Sequence, residues 1–232
     1  TDIDSWSIRQ PLGVCAGLTP FNFPAMVPMW MFPMAIACGN TFVLKPSEKD
    51  PSCSIKLAEL LKEAGLPDGV INFVPGAGSQ IGKYVMSHRD LAGIHFTGST
   101  GVFQSMWKTV GNNIENYKSY PRIVGETGGK DFCLAHESVN IKELATAMIR
   151  GAFEFQGQKC SAASRCYIPS TLWNDVQEEF LAQVSTIKMG DVKDFTNFVN
   201  AVIDESAFDN ITSYIDYAKN ASDAKIICGG GY

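Results

Sequence analysis

Residues 92–101 read AGIHFTGSTG: an apolar run of strand length, then a glycine, two hydroxyl residues and a second glycine that opens a helical pattern over Ser99–Val110. A strand that feeds a helix through a tight glycine turn is the repeating unit of parallel sheets. The same alternation extends in both directions. Apolar runs of strand length lie at Leu12–Leu18, Thr41–Lys45, Val70–Val74, Ala92–Phe96, Arg122–Glu126 and Asp131–Ala135, and helical patterns fill Phe23–Cys38, Pro51–Ala64, Ser79–Ser87 and Ile141–Phe155. Near-continuous apolar strands separated by helices predict an α/β fold whose parallel sheet is covered on both faces. "EAGLPDGV" marks a helix stop, with Gly65 as a left-handed cap and Pro67 blocking continuation.

In such a sheet, ligands gather at the carboxyl ends of the strands. "HFTGSTG" brings Gly98, Ser99, Thr100 and Gly101 to a helix mouth, where backbone N–H groups, hydroxyls and the helix dipole converge on one point, as an anionic pyrophosphate requires. "VPGAGSQIG" offers Gly76, Gly78 and Gly82 in a spacing one residue longer than the dinucleotide fingerprint, and is the weaker phosphate approach. "LKPSE" puts Lys45 and Glu48 at another strand end, where a cation and a carboxylate could hold a ribose.

The 232 residues are 45% hydrophobic and 19% charged, with a net charge of −5, enough to bury a large core. The absence of a Lys/Arg cluster argues against nucleic acid as a partner, since phosphate backbones need a basic surface. The most apolar stretch, Phe23–Gly39, contains Pro24, Pro28 and Pro33 and falls short of the ~20 residues a membrane span needs. It reads as a buried helix with Met26, Met29, Met31 and Met34 as core filler. Thr1 opens in what reads as mid-domain sequence without a signal- or transit-peptide pattern, and the missing initiator Met and the end at "GGGY" lead to the expectation of a fragment. The seven cysteines show neither CxxC nor ligand-spaced His, so neither zinc nor a disulfide framework is expected. Cys15, Cys133 and Cys228 lie in apolar runs and read as small hydrophobes. Cys160, in "EFQGQKCSAAS", is different: a polar approach and small followers leave an accessible thiol.

Five motifs in order, "TPFNFP" (Thr19–Pro24), "KPSE" (Lys45–Glu48), "FTGST" (Phe96–Thr100), "ETGGKD" (Glu126–Asp131) and "GQKCSA" (Gly157–Ala162), resemble the NAD(P)-dependent aldehyde dehydrogenase superfamily across essentially the whole chain. From about Gly65 onward the sequence is most similar to the glutamate-semialdehyde (1-pyrroline-5-carboxylate) dehydrogenase branch; the first third looks closer to methylmalonate-semialdehyde dehydrogenase. The resemblance implies a Rossmann-like NAD-binding domain over residues 1–127 and the first part of a catalytic domain over 128–232. It implies Cys160 as nucleophile, Glu126 as the base that activates water, and the amide of Asn22 as an oxyanion donor beside the Cys160 N–H. Thr19, Lys45, Glu48, Gly98, Ser99, Thr100 and Gly101 would meet the cofactor, NAD ahead of NADP, and Phe23 and Ser161 the substrate. No metal is implied.

The activity that the resemblance implies is NAD-dependent oxidation of a small aldehyde, most specifically L-glutamate 5-semialdehyde to L-glutamate, by a protein that is a homo-oligomer when full length and works in the mitochondrial matrix or otherwise in the cytoplasm. Two alternatives stand beside it: a coenzyme A-acylating enzyme of the methylmalonate-semialdehyde type, and a truncated nucleotide-binding or interaction domain without catalysis. Glu126 in the ETGG motif favours hydrolysis over transfer to a thiol. His88, His95 and His136 carry no motif and read as structural or exposed.

Overall fold

A computed structural model describes residues 2–232, which fall into two compact units, one ending at Gly128 and one spanning Gly129–Tyr232. In the first, strands β1 (Val14–Leu18), β2 (Thr41–Lys45), β3 (Ile71–Phe73), β4 (Leu91–Gly98) and β5 (Arg122–Thr127) alternate with helices α1 (Met26–Ala37), α2 (Ser52–Glu63), α3 (Gly78–Ser87) and α4 (Thr100–Asn112). All pairings are parallel, in the order β3-β2-β1-β4-β5. The chain leaves the centre at β1, walks outward to β3, then returns to β4 on the other side of β1. That reversal leaves a crevice beyond the carboxyl ends of β1 and β4, the place where open α/β sheets hold ligands.

Alternate residues of β1 serve two cores, which is why the strand reads as continuously apolar. Ala16 and Leu18 join Ile94, Phe96, Met106 and Val110 under α4. Cys15 joins Phe42, Leu44, Val27, Met31 and Phe32 under α1, and burial raises its thiol pKa. Gly17 is required by this packing, because a Cβ there would sit 2.4 Å from the Phe42 ring.

Helix α1 differs from expectation. Val27, Pro28, Met31 and Phe32 are buried, but Met26, Met29, Trp30 and Met34 are 43%, 51%, 43% and 69% exposed. Of the four methionines read as core filler, only Met31 is. The composition is apolar all round, so the sequence carries no signal of which side faces the sheet. No helix among the described residues is long and apolar enough to cross a membrane.

The second unit holds a two-stranded parallel sheet, β6 (Asp131–Leu134) and β7 (Ala163–Tyr167), with helices α5 (Ile141–Phe153), α6 (Trp173–Val184) and α7 (Glu205–Asn220). Its core is built from Leu144, Ala145, Met148 and Ile149 of α5 against Val176 and Phe180 of α6. Asn140 caps α5 by accepting the Glu143 N–H at 3.2 Å. The expected helix through Phe155 stops at Phe153, because Phe155 and Gln156 turn left-handed, with φ of 53° and 55°.

Candidate active site: a strand-end cavity and a cysteine loop

A cavity of about 960 Å³ opens at the carboxyl ends of β1, β2 and β4. Thr19, Lys45, Glu48, Gly98 and Ser99 all line it, and so do Gly78 and Ser79 at the start of α3. The two glycine turns therefore border one cavity rather than competing for the role of anion site. At the α4 turn, Ser99 is extended (φ −76°, ψ 143°) and its hydroxyl accepts the Val102 N–H at 3.4 Å, capping the helix. A Cβ on Gly98 would lie 2.6 Å from the Phe96 ring, whereas Gly101 has open space around it. Thr100 opens α4; neither it nor Gly101 lines the cavity.

Lys45 ends β2 with only 7% of its side chain exposed, and a buried ammonium needs a partner. Glu48 supplies it through a short ion pair, its own side chain 52% exposed. The hydrogen bond from Lys45 holds the Glu48 carboxyl below the usual carboxylate range, so it is ionised at neutral pH. The Lys45 Nζ lies 3.5 Å from where a Gly78 Cβ would stand, an ordinary contact distance that brings the start of α3 beside the ammonium.

Three buried oxygens near the strand ends lack hydrogen-bond partners among the described residues: the hydroxyls of Thr19 and Thr97 and the Oε2 of Glu126. Thr19 and Thr97 line the cavity, and Thr97 stands opposite Glu126 across the β4–β5 pair. Buried polar atoms without partners are rare and mark positions where a ligand or water completes the bonding. Asn22 is half-buried between β1 and α1, and Phe23 packs against the α1 core.

In the second unit, Cys160 and Ser161 sit in the turn before β7, the Cys160 residue half-buried and Ser161 exposed. The approach is strained: Phe155, Gln156 and Gly157 are left-handed in succession, with Gly157 at φ 69°, and each non-glycine residue in that region costs on the order of 1 kcal/mol or more. A Cβ on Gly157 would lie 2.9 Å from the Ala152 carbonyl. Polar contacts hold the turn. Gln156 donates to the Ala201 carbonyl at 2.8 Å, Gln158 accepts the Ile203 N–H at 2.9 Å, and Glu154 pairs with Lys159 and with Arg150, the latter at 2.6 Å. Those cations hold the Glu154 carboxyl below its ordinary pKa, with Lys159 contributing most. The Gly129 N–H donates to the Cys160 carbonyl at 3.1 Å, and a Cβ on Gly129 would stand 2.6 Å from that oxygen.

Sequence reasoning read Gly129, the second glycine of ETGGKD, as giving the backbone room beside Glu126, but not as the partner of the Cys160 turn; Thr97, Glu154 and Gln158 were assigned no role and are revealed only by contact.

Comparison with known proteins gives the same kinship throughout. The chain is 45% identical over 230 residues to the mitochondrial delta-1-pyrroline-5-carboxylate dehydrogenase of Dictyostelium discoideum, covering 97% of this chain and 41% of that protein. To the mitochondrial delta-1-pyrroline-5-carboxylate dehydrogenase of Danio rerio it is 42% identical, covering 94% and 39%. The chain thus spans about two fifths of the length of the curated relatives it matches. Among solved structures, the Mycobacterium tuberculosis delta-pyrroline-5-carboxylate dehydrogenase bound with NAD superposes with a TM-score of 0.89 at 43% identity, over 97% of this chain and 42% of that one. A putative methylmalonate-semialdehyde dehydrogenase from Sinorhizobium meliloti complexed with NAD gives 0.86 at 34%, over 95% and 45%. The family model for the aldehyde dehydrogenase family matches residues 1–232 from end to end, and the chain belongs to that family.

Proposed function

We propose that the chain carries the cofactor site and the reactive cysteine of an NAD-dependent aldehyde dehydrogenase that oxidises L-glutamate 5-semialdehyde to L-glutamate. The observation that carries the reading is the 45% identity to a delta-1-pyrroline-5-carboxylate dehydrogenase over 97% of the chain. The strand-end cavity fits the cofactor: two partnerless threonine hydroxyls, a buried Lys45–Glu48 pair and two helix N-termini match a ribose and pyrophosphate in chemistry. NAD is favoured over NADP because the ionised Glu48 accepts ribose hydroxyls and repels a 2′-phosphate. Several relatives are named as mitochondrial, which supports a matrix location; that the full-length enzyme is a homo-oligomer without nucleic-acid or membrane partners is part of the same proposal and rests on the family resemblance.

The reaction divides among this chain's residues. The Cys160 thiolate adds to the aldehyde carbon, and the Asn22 amide and Cys160 N–H donate hydrogen bonds to the oxygen as it gains charge. Bound NAD⁺ supplies the hydride acceptor. Glu126 then takes a proton from water, which attacks the thioester and frees the carboxylate product and the Cys160 thiol. Thr19, Lys45, Glu48, Gly98 and Ser99 bind and orient the cofactor in the cavity they line, Thr100 and Gly101 contribute only the first turn of α4 behind Ser99, and Phe23 and Ser161 border the substrate.

The test is rapid-mixing absorbance of NADH with intact-mass detection, on the full-length gene product with glutamate semialdehyde. Cys160→Ala should abolish both NADH formation and aldehyde capture. Glu126→Gln should release one burst of NADH and stall as a thioester on Cys160. Asn22→Ala should slow acylation by roughly a hundredfold or more. Steady turnover of Glu126→Gln at the parent rate would refute the base assignment, and release of the acyl group only when coenzyme A is added would favour the acylating alternative.

A further inference from the structure

The sequence separates Cys133 and Cys166 and attaches no pattern to them, yet the fold sets them side by side. β6 and β7 run parallel with Cys133 directly opposite Cys166. Opposed residues on neighbouring strands are about 4.8 Å apart, within the Cα window of about 4.4–6.8 Å that a disulfide spans, and their Cβ atoms leave the sheet on the same side. Both thiols are half-buried, and burial together with the neighbouring Cys133 raises the Cys166 thiol pKa. Cys166 packs against the α5–α6 core, so the pair occupies the helix-covered face. The other face is occupied by Arg165 stacked over the Phe132 and Tyr167 rings. Among the described residues, no cluster of three or more His, Cys, Asp or Glu that could hold a metal includes them.

We propose that Cys133 and Cys166 form a reversible dithiol–disulfide couple, a modification site distinct from Cys160, whose oxidant is a small-molecule disulfide of the glutathione type. The Cys133 thiolate attacks one sulfur of the oxidant, forming a mixed disulfide and expelling one thiolate. The Cys166 sulfur then attacks Cys133, forming the cross-strand bond and expelling the second thiolate. Two protein thiols are oxidised, one disulfide is reduced to two thiols, and the two protons pass to the departing thiolates. Cys133 acts first because Cys166 is packed on the core, where burial and its neighbour raise its thiol pKa. The couple is independent of the aldehyde chemistry proposed above, since neither sulfur takes part in it. Its structural effect is to tie together the strand that follows Gly129 and the strand that leaves the Cys160 turn.

The full chain is equilibrated in glutathione buffers of increasing oxidised fraction, quenched with acid, alkylated, and read by intact mass and peptide mapping. The expected product has lost two hydrogens, yields a linked Cys133–Cys166 peptide and reverts with dithiothreitol. Cys166→Ser should lose that peptide and accumulate one glutathione on Cys133; Cys133→Ser should lose it too. The mapping of the unsubstituted chain decides the matter even if a variant folds poorly. Recovery of both cysteines as alkylated thiols across the whole series, separate glutathione adducts on each, or a link joining either to a different cysteine would overturn the proposal.

Discussion

Gly129 owes its importance to a distance and Glu48 to a charge, and neither reacts. A methyl at Gly129 would stand 2.6 Å from the Cys160 carbonyl, so Gly129→Ala must push the turn away or break the 3.1 Å hydrogen bond. The expected outcome is a fall in kcat with little change in Tm, read by steady-state kinetics alongside thermal unfolding, because the disturbance is confined to one turn. Glu48→Gln removes the negative charge but keeps the size. Discrimination against NADP should weaken on the order of tenfold, about 1.4 kcal/mol, the scale of one like-charge contact near a surface; the ratio of kcat/KM for the two cofactors measures it. The motifs made the reactive types legible: a thiol among small residues, a carboxylate before two glycines, a Lys–Glu pair at a strand end. Thr97 was not, since a buried hydroxyl lacking a partner looks like any strand threonine until its neighbours are placed.

Helix α4 and strand β4 form the element on which the cavity rests, and each gives a measurable expectation. Ser99→Ala removes the side-chain cap and should cost about 1 kcal/mol, seen as a lower urea midpoint at unchanged slope. His95 lies in β4 beside a second cavity, whose lining includes Arg9 and Arg122. Burial lowers its pKa below the ordinary 6.5. The unfolded chain therefore binds a proton more readily than the folded one. Its contribution is fully present above pH 6.5 and is lost as pH falls through the folded value. Urea titrations should show stability falling on acidification below about pH 6.5, with a smaller fall in His95→Gln. The elements of the first unit were legible because β1, β2 and β4 read as largely apolar runs, which fixed position to within a few residues. β7, α6 and α7 were not: ASRCY has polar, exposed positions and no apolar run, and α7 has no fully buried residue to betray its inner side.

The whole molecule has three clusters of core residues, two in the first unit and one in the second, and deletions should report on each unit. Phe42, 1% exposed, fills the space Gly17 leaves, so Phe42→Ala should destabilise the first unit by about 3–5 kcal/mol. Met148→Ala should cost the second about 2–5 kcal/mol. Hydrogen exchange mapped by peptide should place each loss in its own unit. The expected boundary after residue 127 came from the family resemblance rather than from any local pattern, and the exposure of α1 was not legible, since a helix apolar on every side does not say which side is inward. Helix α1 also gives the chain a temperature response. Met29, Trp30 and Met34 face water, and the attraction between such surfaces is entropic near room temperature and weakens on cooling. Solutions of the chain should therefore cloud on gentle warming and clear in the cold, with the Trp30 emission moving to the blue as the haze appears.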